Sequence, residues 1–334
     1  MILGIDYMDK LGIYIPTYNR AKELKECLDR FIPQIKKYRL PIYIADSSES
    51  NTTKKLIIDM RKRYPKIFYK KNSVYKKNTY ALALKNVLEM GNTEFVWFFG
   101  DDDTIKAGTI RKIMSKLDKY DYLQINSEVF SRDMKRCIKG RIIQKYKDEV
   151  YENPDDALLN TEDTGYQGFM AHMIIKKNSA DLQIKDLDVT EPHMDFLHTI
   201  IFYRAISSVS NDKKVIGLLI ASPLINNRGA NWGYSSRIME IYFKSWNKTH
   251  NMLVGYYPAQ ILKRVRIRSI TNLMIPLTIN KIANNTSALL DYKKYILDNK
   301  DINLTTKAIL FIGTITPKSM LRIIYNLYKI FKGY

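Results

Sequence analysis

Over the first 125 residues, short unbroken apolar runs alternate with longer stretches whose apolar positions recur every three or four residues. Residues 11–16 (LGIYIP), 41–46 (PIYIAD), 66–70 (KIFYK), 94–100 (EFVWFFG) and 122–126 predict strands, the fourth being the most apolar. Between them, residues 21–35 (AKELKECLDRFIPQI), about 53–64, about 79–90 and 105–117 carry helical spacing. Strands separated by such helices predict βαβ units and a largely parallel sheet with helices on both faces. Residues 127–235 are less regular: strands are expected near 141–146, 169–176 and 215–225, and a helix near 194–205. Beyond Tyr234 the pattern turns helical. The expected fold class is therefore α/β, a Rossmann-like, mixed, mostly parallel sheet flanked by helices, with a helical, basic C-terminal region.

In open α/β sheets, ligands bind beyond the C-terminal ends of the strands. Polar residues stand at those places here. Strand one runs from Pro16 into Thr17-Tyr18-Asn19-Arg20, strand two into Asp46-Ser47-Ser48, and strand four into Asp101-Asp102-Asp103. Three carboxylates after a buried strand repel one another unless a cation neutralises them. Asp101 and Asp103, two residues apart, can converge on one hard divalent ion such as Mn²⁺ or Mg²⁺, shared with diphosphate oxygens. The competing reading is a solvated acidic turn in which Asp103 or Thr104 caps the next helix. Asp46 suits either hydrogen bonds from a base or ribose, or an Asx-turn. The start of the first helix, with Arg20, suits a phosphate or a nucleotide ring.

Taken together, Ile15 to Arg20, Ile44 to Ser48 and Phe98 to Asp103 resemble the N-terminal half of a family 2 glycosyltransferase, with the nucleotide-sugar-binding GT-A fold. The resemblance covers about residues 10–130 well and 160–235 loosely, and its phrasing is that of the abequosyltransferase-like, surface-polysaccharide branch. It implies a nucleotide-sugar-binding half over residues 1–125, an acceptor half over 126–235, and a C-terminal region over 236–334. It also implies that Pro16, Thr17, Tyr18, Asn19 and Arg20 line the nucleotide pocket and that Asp46 holds the base. Asp101 and Asp102 would serve the donor, and Asp101 and Asp103 the metal. Asn78 falls in the segment opening the third helix, after Lys76 and Lys77, which are either phosphate contacts or solvated lysines.

Family 2 enzymes resemble one another in inverting the anomeric centre, which requires a base opposite the leaving group. The matching segment, residues 189–196 (VTEPHMDF), offers Asp195, Glu191 and His193 in place of an adjacent Glu-Asp pair. All three also suit the charged start of a helix. Arg228 suits a bidentate diphosphate contact and Trp232 a sugar ring, or both pack on the protein's own core.

Composition narrows the partners. The 334 residues are 46% hydrophobic and 26% charged, which is globular usage. Cys27 and Cys137 make neither a disulfide framework nor a zinc site. With the start MILGIDYMDK, which lacks the basic, apolar character of a secretory signal, they lead to the expectation of a cytoplasmic protein. Lys and Arg number 54 against 34 Asp and Glu, a net charge of +20 that favours anionic partners. No acid occurs between Glu240 and Asp291 or over residues 317–334. On a helix, Met320, Leu321, Ile324, Leu327, Tyr328 and Phe331 would share a face, either for the inner surface of a membrane or for the protein's core or a second subunit. No nucleic-acid motif is present, so nucleic acid is not expected as a partner. The expected partners are a nucleotide-diphosphate sugar and a glycan or lipid-linked saccharide acceptor, with homo-oligomerisation open. Two rival readings are a non-catalytic basic module and a sugar nucleotidyltransferase; the latter usually needs a Gly-rich loop where this chain has PTYNRAKEL.

Overall fold

The computed structural model describes residues 9–72, 79–160, 164–210, 216–229, 238–284, 288–300 and 302–332. Strand β1 (Asp9–Thr17) leads into helix α1 (Ala21–Ile35), β2 (Ile42–Asp46) into α2 (Thr52–Arg63), and β3 (Ile67–Lys71) precedes α3 (Thr79–Leu88). After β4 (Thr93–Phe98) come the two-residue β5 (Thr104–Ile105), α4 (Thr109–Met114) and β6 (Tyr122–Phe130). Short strands β7 (Cys137–Lys139) and β8 (Glu149–Tyr151) follow, then α5 (Pro154–Leu159), α6 (Thr164–Gln167) and β9 (Met173–Lys176). Helices α7 (Lys177–Lys185) and α8 (Leu197–Ser210) precede β10 (Gly217–Arg228), and the described remainder is helical.

All ten strands share one sheet, ordered β3-β2-β1-β4-β9-β6-β10-β5, with β7 on β6 and β8 on β10. The parallel ladders (β1 with β2 and β4, β2 with β3, β6 with β10) run five to eight residue pairs. The antiparallel ladders run two or three. The fold is thus mixed and mostly parallel, as expected.

Both faces of the sheet are buried, which is why its strands read as unbroken apolar runs. Along β1, Leu11, Ile13 and Ile15 pack with Leu24, Leu28 and Phe31 of α1 on one face. Tyr14 points to the other face, with Leu84 and Leu88 of α3 and the core side of α8. The helices after Ile238 form a smaller cluster of their own around Phe243, Met274 and Ile296.

Two expectations are corrected. Residues 141–146 form no strand, because Ile143 N–H donates at 3.0 Å to the Asn126 side chain rather than to a neighbouring backbone. The helix expected over 105–117 is confined to Thr109–Met114, because Ile105 pairs with Ile225 of β10 and Gly108 turns the chain with φ +81°.

Candidate active site

The three polar segments meet at the C-terminal ends of three adjacent parallel strands, β2, β1 and β4. Thr17 Oγ1 donates to Asp101 Oδ2 at 2.6 Å. Arg20 Nη1 reaches Asp101 Oδ1 at 3.1 Å and Asp102 Oδ2 at 2.9 Å. Asp103 N–H closes a turn on Gly100 O, and Asp103 Oδ1 accepts from the backbone N–H of Arg228 at 2.8 Å. Asp103 Oδ2 has no hydrogen-bond partner among the described residues.

Asp101 and Asp103 are each 4% exposed. Burial, with the charge of Asp102 beside it, pushes the Asp101 carboxyl up to about 7 against the opposing pull of Arg20 and Thr17. Burial and Asp102 push Asp103 upward too, opposed first by the Arg228 N–H. Negative charge is thus under-compensated here, the condition a cation relieves.

The second loop is pinned to the first. Asn19 adopts φ +53°, a conformation Asn tolerates better than most residues, and its N–H donates to Ser48 Oγ at 2.8 Å. Glu49 N–H returns a bond to Asn19 Oδ1 at 3.1 Å, and the exposed Tyr18 hydroxyl donates to Glu49 at 2.8 Å. Asp46 is fully buried and forms the Asx-turn, accepting from Ser48 N–H at 2.8 Å. Its other oxygen accepts from Tyr69 Oη at 2.8 Å and Lys71 Nζ at 3.3 Å. Pro16 lies buried in β1 opposite Ala45.

Arg228 ends β10 and is engaged within the protein rather than held open for a diphosphate. Nε donates to Asp102 O at 3.0 Å, Nη1 to Arg132 O at 2.6 Å and Nη2 to Glu26 at 2.5 Å. Asn78 and Trp232 lie outside the described residues.

The acidic segment before α8 is tethered to the C-terminal helices. Asp195 Oδ2 accepts from Ser245 Oγ, Glu191 is ion-paired with Lys248, and His193 Nδ1 lies 3.6 Å from Glu240. Phe196 stacks on Trp246 with ring centroids 4.0 Å apart. His193 has φ +66°, an uncommon conformation for a non-glycine residue. Ser245, Lys248, Lys71 and Glu26 carry no motif of their own. Each is recognised only by the partner the fold brings to it.

Comparison with known proteins decides the class. The model of "Glycosyl transferase family 2" matches residues 12–179, half of the chain and all three strand-end segments. The chain belongs to glycosyl transferase family 2. It is 30% identical over 112 residues to the GalNAc(5)-diNAcBac-PP-undecaprenol beta-1,3-glucosyltransferase of Campylobacter jejuni, a match spanning 34% of this chain and 36% of that relative. So the chain spans about a third of the length of that curated relative.

Solved structures share the fold over nearly the whole chain. The S. aureus TarS 1-349 crystal structure superposes with a TM-score of 0.56 at 14% identity, covering 96% of this chain and 91% of that one. The mannosyltransferase PcManGT from Pyrobaculum calidifontis, in complex with GDP-Man and Mn²⁺, superposes with a TM-score of 0.51 at 12% identity, covering 97% and 86%. At such identities these two carry the fold, and it is the GT-A fold expected from the sequence.

Proposed function

We propose that this glycosyltransferase moves a sugar, with inversion, from a nucleotide-diphosphate sugar to a hydroxyl of a glycan or lipid-linked saccharide on the cytoplasmic side of cell-surface polysaccharide synthesis. The observation that carries the reading is the buried Asp101–Asp103 pair at the ends of β1, β2 and β4, with one Asp103 oxygen unpartnered. Family membership and the lipid-linked acceptor in the name of the Campylobacter jejuni relative support it. So does the nucleotide sugar bound by TarS 1-349 in its UDP-GlcNAc complex.

The residues fit a hard divalent cation. Among the described residues no cluster of three or more ligating side chains stands ready. A site of one or two carboxylates completed by substrate phosphate is the usual magnesium or manganese arrangement. Asp103, through Oδ2, and Asp101 would hold the ion. When bound, Mn²⁺ or Mg²⁺ neutralises charge on the departing diphosphate.

The chain's own side chains do the rest. Arg20 lies beside Asp101 and Asp102, where it adds positive charge near the phosphates. Tyr18, Asn19 and Ser48 frame the nucleotide between the first two loops, and Asp46 fixes that frame by holding the turn after β2. Asp195 accepts the proton of the attacking acceptor hydroxyl, with Ser245 orienting its carboxylate. Thermal-shift measurements with UDP-, GDP-, CDP- and dTDP-sugars plus Mn²⁺ test the reading. One donor class raises the midpoint of the wild type and not of Asp103→Asn; no shift with any donor overturns it.

A further inference from the structure

The two last helices leave an apolar surface bare. Helices Leu304–Ile315 and Lys318–Lys332 dock on the long helix Ala259–Asn284 around one residue. Leu321 buries against Ile282, and a Cβ at Gly313 would sit 3.7 Å from Ile282 Cδ1. Of the face expected from the sequence, Leu321 therefore serves the protein itself. On the outward side, Leu304, Phe311, Ile312 and Ile315 follow i, i+7, i+8, i+11 and are 81, 44, 59 and 63% exposed. Met320, Ile323, Ile324 and Leu327 follow i, i+3, i+4, i+7 and are all exposed. Half of the large apolar side chains exposed among the described residues fall within residues 304–327. A concentration of that kind marks a contact surface rather than ordinary scatter.

Charge selects the occupant. From residue 302 onward the chain has Lys307, Lys318, Arg322, Lys329 and Lys332 and no acid. Lys318 and Arg322 are exposed one helical turn apart on the polar side of the same helix, away from the second stripe, and neither has an acidic partner among the described residues. An apolar stripe on one side of a helix with only cations on the other is the pattern of a segment lying in the surface of an anionic bilayer. No helix among the described residues is long and apolar enough to cross a membrane. We propose that the paired outer faces of these helices bind the surface of an anionic lipid bilayer. The apolar stripes enter the boundary between headgroups and acyl chains, and the cations meet lipid phosphates.

Flotation of the full chain with vesicles tests this apart from the transfer reaction. Wild type binds phosphatidylglycerol-containing vesicles, binds neutral phosphatidylcholine vesicles at least ~10-fold more weakly, and loses affinity as salt rises. Ile312→Asp with Ile323→Asp, and separately Lys318→Glu with Arg322→Glu, each weaken binding roughly 10-fold while thermal midpoint and nucleotide-sugar binding persist. Ile323→Trp reports entry directly, as a blue-shifted emission on adding the anionic vesicles. Equal vesicle binding by wild type and both double variants, or an unshifted Ile323→Trp emission, overturns the proposal. So does a solution dimer that Ile312→Asp with Ile323→Asp dissolves.

Discussion

Arg228 and Asp103, 125 residues apart in sequence, are joined by a 2.8 Å hydrogen bond from backbone N–H to carboxylate. The Arg228 side chain then grips the same acidic turn from behind, through Asp102 O, and ties it to Glu26 on α1. The turn that carries the carboxylates is thus fixed by both parts of one arginine at the end of β10. Removing the side chain takes one donor from the Asp102 carbonyl and one from the Arg132 carbonyl.

Arg228→Ala is therefore expected to cost about 3 kcal/mol of stability by denaturant unfolding, the upper range for losing the hydrogen bonds of a buried charged donor. Arg228→Lys is expected to recover little, because an ammonium cannot span three partners in a planar fork. Glu26→Gln should cost less than 1 kcal/mol, since the Glu26 side chain is 43% exposed. If Arg228→Ala unfolds at wild-type denaturant concentration, the bracing role is wrong.

The acidic pair makes a prediction about pH and metal together. With its carboxyl pushed to about 7 by burial and Asp102, Asp101 keeps its proton in the folded protein at pH values where the unfolded chain, near 4, has lost it. This term of stability is present below about pH 4 and is lost as pH rises to about 7. A cation competes with that proton, so Mn²⁺ should raise the thermal midpoint more at pH 8 than at pH 6. Asp103→Asn should lower transfer roughly 10²–10³-fold without lowering the midpoint, because a buried repulsion goes with the charge. A Mn²⁺ response independent of pH would contradict the coupling.

How much of this was legible beforehand follows from burial. Strands β1, β2 and β4 are covered on both faces, so their apolar runs announced them, and the polar residues after each stood out by contrast. Helix α1 was read over its observed span, residues 21–35, because Leu24, Leu28, Phe31 and Ile35 mark one buried face. The strand β5 was not legible, since two residues pairing across 120 positions leave no period to detect. The role of Arg228 was hidden for the same reason: its partners Glu26, Asp102 and Arg132 are distant in sequence, and an arginine after a strand reads equally as a phosphate ligand. The contacts of Glu191, His193 and Asp195 come from a C-terminal helical region whose docking no local pattern specifies.

Those contacts differ among the three candidates for the base. Glu191 faces Lys248 and His193 faces Glu240, whereas Asp195 meets the Ser245 hydroxyl. A hydroxyl donor such as Ser245 holds the Asp195 carboxylate in one orientation, and a positioned carboxylate is what proton abstraction requires. Asp195→Asn is expected to reduce kcat roughly 10²–10⁴-fold with donor binding unchanged. Ser245→Ala should reduce kcat by about 10-fold and shift its pH profile, as loss of an orienting bond does. Glu191→Gln should leave kcat within about 3-fold, in line with a surface ion pair. A full loss in Glu191→Gln with an active Asp195→Asn would exchange their roles.

The C-terminal helices also hold a buried titrating group. His250 is 4% exposed, stacks on Trp246 with centroids 5.8 Å apart, and has no hydrogen-bond partner for either ring nitrogen among the described residues. Burial first, and Arg266 second, lower it to about 4. An unfolded histidine takes up its proton near pH 6.5, so between about 6.5 and 4 the unfolded chain binds one proton that the folded chain refuses. The stability held by neutral His250 is complete above about pH 6.5 and is lost as pH falls toward 4, at up to roughly 1.4 kcal/mol per pH unit. His250→Phe keeps a ring against Trp246 and removes the titration. Its unfolding free energy should fall less steeply than that of the wild type from pH 6.5 to pH 5, by about 1–2 kcal/mol over the interval. Parallel pH dependences for the two proteins would mean that His250 takes up its proton without unfolding the region around Trp246.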